Sequence, residues 1–367
     1  MSTALPQGRL TLLFAAMASF VLLGAYQAVL GPALPSFQAQ FRLDAGTAGW
    51  LISTLGIGSF IGIMGMYFVG SHVTPRAALA TMAVGAALLA LAPNWLTILA
   101  GGTVFGIGYG SVAALFNGRI LAAFGSRGMS MMALINALYS VGAIAAPLIF
   151  VGLGSDPVVI FGIITGLTVL TIVGAGATGG TRAAGAVNRS GFRLHLPILA
   201  FGAIAIGLEA SLVGLSTSAM IRDGIPADMA AALLSAFFVA FLLGRIALTL
   251  LADRVPPFAI YLCGVGFTAF CALGCAMFDP VWAFPPMGAS VGLFFPGFFA
   301  TATRKMGTDA RVAPIVLGTC QFGVILLPLI VAQASLSLGD KGFFWLMGGI
   351  GGTMTLLALI FYRPMAR

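Results

Sequence analysis

Residues Leu196–Met220 read LPILAFGAIAIGLEASLVGLSTSAM, an unbroken apolar run with a single carboxylate, Glu209, near its middle. A helix over such a run is long enough to cross a hydrocarbon core of ~30 Å. Backbone groups in lipid must be satisfied within the segment, so a helix is the form it takes. A charge at the bilayer centre costs roughly 2.5–3.5 kcal/mol on insertion scales, so Glu209 is expected to face protein or a water-filled cavity. The remaining acids fall in loops or at helix ends. Glu209 is therefore the leading candidate for function; the alternative is a buried, protonated side chain bonded to a neighbouring helix.

The same texture continues along all 367 residues, of which 60% are hydrophobic and 7% charged, with mean hydropathy +1.10. A soluble domain carries about 25% charged residues to keep its surface solvated. This composition predicts an all-α polytopic membrane protein. Twelve transmembrane helices are expected, centred near residues 20, 58, 85, 107, 140, 167, 208, 240, 267, 292, 325 and 352. The first opens at Leu10 and reads as a retained span, not a signal peptide. The 50 glycines suit close helix–helix approach in lipid.

The net charge of +8 is explained by where it falls. With the N-terminus in the cytoplasm, every Lys and Arg except Arg42, Arg222 and Lys341 lies on or near that side. Asp44, Asp156, Asp223, Asp228, Asp279 and Asp340 share the opposite face. This bias follows the positive-inside rule and places both termini in the cytoplasm, in a cell (inner) membrane. It is a topology signal, not a nucleic-acid-binding surface. Cys263, Cys271, Cys275 and Cys320 all fall within spans, with no His or acid beside them to complete a metal set, and read as packing residues.

The longest hydrophilic interruption, residues 179–193, is Gly/Ala-rich and carries three Arg. It divides the chain into an N-terminal six-helix bundle, residues 1–178, and a C-terminal one, residues 194–367. Shifted by about 183 residues, Gly24-Ala-Tyr26-Gln27-Ala-Val-Leu-Gly31 lies over Gly207-Leu-Glu209-Ala-Ser-Leu-Val-Gly214, so Tyr26 falls opposite Glu209. At nearly the same offset, Gly62…Val73-Thr-Pro75 lies over Gly244-Arg245…Val255-Pro-Pro257. Two such matches in succession predict duplicated, pseudo-symmetric halves.

Gly244-Arg245…Ala252-Asp253-Arg254-Val255 resembles the loop motif of the major facilitator superfamily, Gly-x-x-x-Asp-Arg-x-Gly. The resemblance implies a cytoplasmic latch, in which Arg245, Asp253 and Arg254 gate by pairing with adjacent elements. The alternative is that these charges only anchor the helix end. The chain also resembles the fucose:proton-symporter-like branch. The residues that carry this are Gly24…Leu30-Gly31-Pro32-Ala-Leu-Pro35, Gly106-Ile-Gly108-Tyr-Gly110…Asn117, Asn136-Ala-Leu-Tyr139…Pro147, Gly207-Leu-Glu209-Ala-Ser211 and Gly288…Pro296. Sugar-transporting relatives often have carboxylates in the first and fourth spans, where this chain has Tyr26 or Gln27 and Ala113. That departure leaves sugar specificity open.

What the resemblance implies is a secondary active transporter of a small organic solute, working by alternating access. Symport with protons at Glu209 leads. Export by antiport is the alternative, kept open by a partial drug:proton-antiporter match at Gly142-Ala-Ile-Ala-Ala146-Pro147. A rival of another class is a non-transporting assembly factor or sensor on the same fold. Tyr26, Gln27, Asn117, Asn136, Tyr139, Glu209 and Gln321 are the polar residues expected to bind solute at mid-membrane depth, each amide being equally suited to interhelical bonding. The expected partners are solute, protons and membrane lipid, with no nucleic acid, and the chain is expected to act as a monomer. No Walker loop, metal cluster or nucleophile–base arrangement is present in the sequence, so neither an enzyme nor a cofactor is expected.

Overall fold

The computed structural model describes residues 7–69, 72–124, 128–175, 191, 193–251, 254–307 and 312–366, and all regular structure in them is helical. In chain order the first helices are α1 (Gln7–Phe41), α2 (Ala45–Val69), α3 (Pro75–Ala90), α4 (Trp95–Phe124), α5 (Gly128–Gly152) and α6 (Pro157–Gly174). They are followed by α7 (Leu196–Arg222), α8 (Ala227–Leu251), α9 (Pro257–Met277), α10 (Pro280–Val291) and α11 (Phe294–Met306). The last are α12 (Val312–Leu336), α13 (Gly342–Ile360) and α14 (Tyr362–Ala366). Among the described residues, 11 stretches are long and apolar enough to cross a membrane, with α10 and α11 joined as Pro280–Met306; α3 is a shorter apolar helix.

Local chemistry sets where these helices begin. A helix start leaves backbone N–H groups without partners, and in or near lipid these are costly to expose. Asp44 accepts from the Thr47 backbone N–H at 2.9 Å and from its hydroxyl at 2.7 Å, capping α2. Thr74 accepts from the Ala77 N–H ahead of α3, Asp156 from Val158 ahead of α6, and Asp279 from Val281 ahead of α10. Proline follows each of these last three caps, at the position where a missing N–H costs nothing. Three of the acids on the expected outer face are thus helix caps.

Pro296 explains the interruption between α10 and α11. It has no N–H to give the Gly292 carbonyl four residues back, and the chain passes through a turn at Gly292-Leu293 before the helix resumes.

The helices gather into two compact units, Met1–Val29 with Thr54–Ala186, and Leu30–Ser53 with Val187–Arg367. In the first unit, Gly24 of α1 lies against the Tyr139 carbonyl of α5, and Gly142 of α5 against the Val21 carbonyl. Gly62 meets the Ile107 carbonyl, Gly106 the Leu55 carbonyl and Gly110 the Ser59 carbonyl, joining α2 to α4. The second unit repeats both arrangements. Gly207 of α7 lies against the Gly323 carbonyl of α12, and Gly323 against that of Ala203. Gly244 meets the Ala289 carbonyl, Gly288 that of Phe237 and Gly292 that of Phe241, joining α8 to α10. Each glycine in the second unit lies about 182 residues after its counterpart, the spacing read from the sequence. Side chains at these points would push backbones apart, so the duplication extends to packing.

The expected latch is only partly visible. Arg254 is exposed after α8, while Asp253, like most of residues 179–193, lies outside the described residues.

Candidate functional site

Glu209 is the middle residue of the 27-residue α7 and is half-buried. Its helix is polar along much of this depth. Ser211 donates to the Gly207 carbonyl at 2.8 Å, and Ser216, Thr217 and Ser218 carry buried hydroxyls without a hydrogen-bond partner. Two groups from neighbouring helices of the same unit lie within electrostatic range of Glu209. One is the Arg245 guanidinium of α8, and the other is the Cys320 thiol of α12. No deep arginine near this acid is evident from sequence alone, and the structure brings Arg245 into its electrostatic range.

Arg245 does not close a salt bridge on Glu209. Its guanidinium carbon lies over the Phe241 ring, 4.4 Å from the centroid, one helical turn back on α8. Its Nε is buried and makes no hydrogen bond. Its stem passes beside Gly292, at the turn where α10 stops. Gln321 follows Cys320 on α12 and is half-buried. Phe241, Cys320 and Gly292 are the members of this cluster that sequence reading missed. The four-residue spacing of Phe241 and Arg245 is the signal that could have found Phe241, and no comparable spacing points to Cys320 or Gly292.

In the first unit the expected residues form separate pairs. The Tyr109 hydroxyl donates to Gln27 Oε1 at 2.8 Å, tying α4 to α1. Asn136 Nδ2 donates to the Met132 carbonyl at 2.8 Å and reaches Asn117 Oδ1 at 3.4 Å, linking α5 to α4. Tyr139 is half-buried on the same helix. Tyr26 is fully enclosed, with its ring stacked on Phe105 at 3.3 Å and 6° and tilted against Phe161. Its hydroxyl has no hydrogen-bond partner. The residue opposite Glu209 in the repeat is thus an aromatic core residue.

The model of the Major Facilitator Superfamily matches residues 12–314, and the chain belongs to that superfamily of membrane transport proteins. Solved structures of similar fold include the nucleoside transporter NupG, with TM-score 0.74, 13% identity, and 97% of this chain and 99% of that one covered. A D-xylose-proton symporter gives TM-score 0.75 at 14% identity, covering 98% of both chains. A POT family transporter in complex with 5-aminolevulinic acid gives TM-score 0.80 at 12% identity, covering 99% of this chain and 97% of that one. At these identities the likeness is one of fold. No curated protein sequence matches the chain.

Proposed function

We propose that this protein is a secondary active transporter that moves a small organic solute by alternating access, with proton symport coupled at Glu209. The observation that carries the reading is the acid at the midpoint of α7, half-buried and within electrostatic range of Arg245. Desolvation favours the neutral form of a carboxyl and water favours the charged form. An acid that meets water from alternate sides therefore carries a proton across. Solute that binds one protonation state better links the two fluxes.

The wider reading is a monomer with twelve crossings, α3 serving as the third and α10 with α11 as the tenth. It has two six-helix halves, residues 1–178 and 194–367, joined by residues 179–193, and resembles the fucose:proton-symporter-like branch. Both termini are cytoplasmic in the inner membrane. The half-buried Gln27, Asn117, Asn136, Tyr139 and Gln321 contact solute alongside Glu209, and Arg245, Asp253 and Arg254 gate. The solved D-xylose-proton symporter supports this by analogy of fold.

Reconstituted protein tests it. Glu209→Gln mimics the protonated acid, so the variant is expected to exchange solute but to lose accumulation driven by a pH gradient. Accumulation equal to the parent's removes Glu209 as the coupling group.

A further inference from the structure

Arg245 has the features of a group waiting for an acceptor. It is half-buried, so its charge is partly desolvated. Its Nε donor is buried and unused. The Phe241 ring lies 4.4 Å from the guanidinium carbon, a contact that supplies no oxygen or nitrogen acceptor for the N–H groups. Gly292 gives the stem room, and α11 restarts two residues later with its positive dipole end at Phe294. A guanidinium that served only as the counter-ion of Glu209 would close on that carboxylate, since a buried donor without an acceptor costs about 1–3 kcal/mol. It stays in range and does not close.

We infer that Arg245, framed by Phe241 and the Gly292–Leu293 turn, is the recognition site for the carboxylate of a small organic acid, which neutralises the positive charge that Glu209 otherwise senses. This rests on the transporter reading above and adds to it the chemical class of the solute. The exchange conserves charge. An incoming carboxylate occupies the Arg245 N–H groups, Glu209 loses its counter-charge, and one proton from solution binds the Glu209 carboxylate. Release of the solute reverses each step. Among the described residues, Cys320 on α12 is the other titratable group in range of Glu209, while α11 and α13, which also pack on α7, place none there. The stoichiometry is therefore one proton per carboxylate, and Arg245 gates by taking the solute as partner.

The test uses purified full-length protein in detergent, with lactate, gluconate and nicotinate as probes, each against its uncharged amide. At least one carboxylate is expected to raise the melting temperature while its amide does not. Binding in weakly buffered solution is expected to take up one proton per carboxylate. Arg245→Gln should weaken that binding by roughly 10-fold or more, through loss of a charge-assisted pair. Arg245→Lys keeps the charge but not the planar fork, and should weaken it by roughly 5-fold. Glu209→Gln should bind the carboxylate without taking up a proton. Equal stabilisation by the amides, absence of a shift with all three acids, or binding that survives Arg245→Gln would overturn the carboxylate site. Those results leave Glu209-coupled transport of an uncharged solute to be judged in liposomes. Carboxylate binding that depends on Arg245 but takes up no proton supports the anion site and removes the coupling role of Glu209.

Discussion

Ser53 Oγ donates to the backbone carbonyl of Ile325 across 2.7 Å, joining the Leu30–Ser53 segment to α12 within the second unit. The acceptor lies beside the Val324 carbonyl, which Pro328 deprives of its usual N–H partner. The bond to Ile325 adds a helix-to-helix tie in the turn that Pro328 weakens. Ser53→Ala is therefore expected to destabilise the protein by about 1 kcal/mol, seen as a melting temperature a few degrees lower in detergent. An unchanged melting temperature would show the bond to be dispensable.

Tyr26→Phe should act in the opposite direction. The Tyr26 hydroxyl is buried without a partner, while its ring packs on Phe105. Removing the oxygen and keeping the ring is expected to leave stability unchanged or raise it by about 1 kcal/mol. Solute uptake is the second readout: a large loss with stability intact would mean that the hydroxyl meets solute in another conformation.

The glycine contacts separate cleanly by position. Gly207→Ala and Gly142→Ala place a methyl group into a neighbouring helix's carbonyl, whereas a Cβ at Gly65 meets nothing within 4 Å. The first two are expected to cost about 1–3 kcal/mol each, as overpacking does. Gly65→Ala should be neutral or stabilising, as Ala is the better helix former. Chemical denaturation of the three variants measures the difference.

Asp44 supplies a pH prediction. Its carboxylate is held below the ordinary carboxylate range, first by the Thr47 hydroxyl and then by the Thr47 N–H. A group whose folded value is depressed stabilises the fold above its unfolded value, and that stabilisation is lost as pH falls through the folded one. Stability from this cap should be level from neutral pH down to about 4 and decline below it. Asp44→Asn should remove that acid limb, and thermal unfolding followed from pH 7 to pH 3 detects it.

The spans were legible in the sequence because lipid imposes a length and a composition on any segment that crosses it. The duplication was legible because glycines at matched positions have no substitute where backbones touch, as Gly24 and Gly207 show. What one sequence does not encode is how each helix turns about its axis. Gln27 therefore gave no sign that it would meet Tyr109, nor Asn117 that it would meet Asn136. Arg245 is the clearest instance. Its motif spoke for a charge at a helix end, but its long stem carries the guanidinium onto Phe241 and toward Glu209.

Thr74-Pro75, Asp156-Pro157 and Asp279-Pro280 fix their helix starts through bonds no more than three residues long. Such a boundary is complete once one further turn of chain has been synthesised, and it waits for no partner helix. These local boundaries are therefore expected to be set during membrane insertion, before glycine-to-carbonyl docking assembles each unit. Ribosome-bound chains arrested shortly after Gly174 are expected to set the start of α6 at the same residue as the finished protein. Replacing Asp156 and Pro157 together by Ala should let that boundary slide, which reporter tags placed ahead of α6 would register as mixed insertion depths.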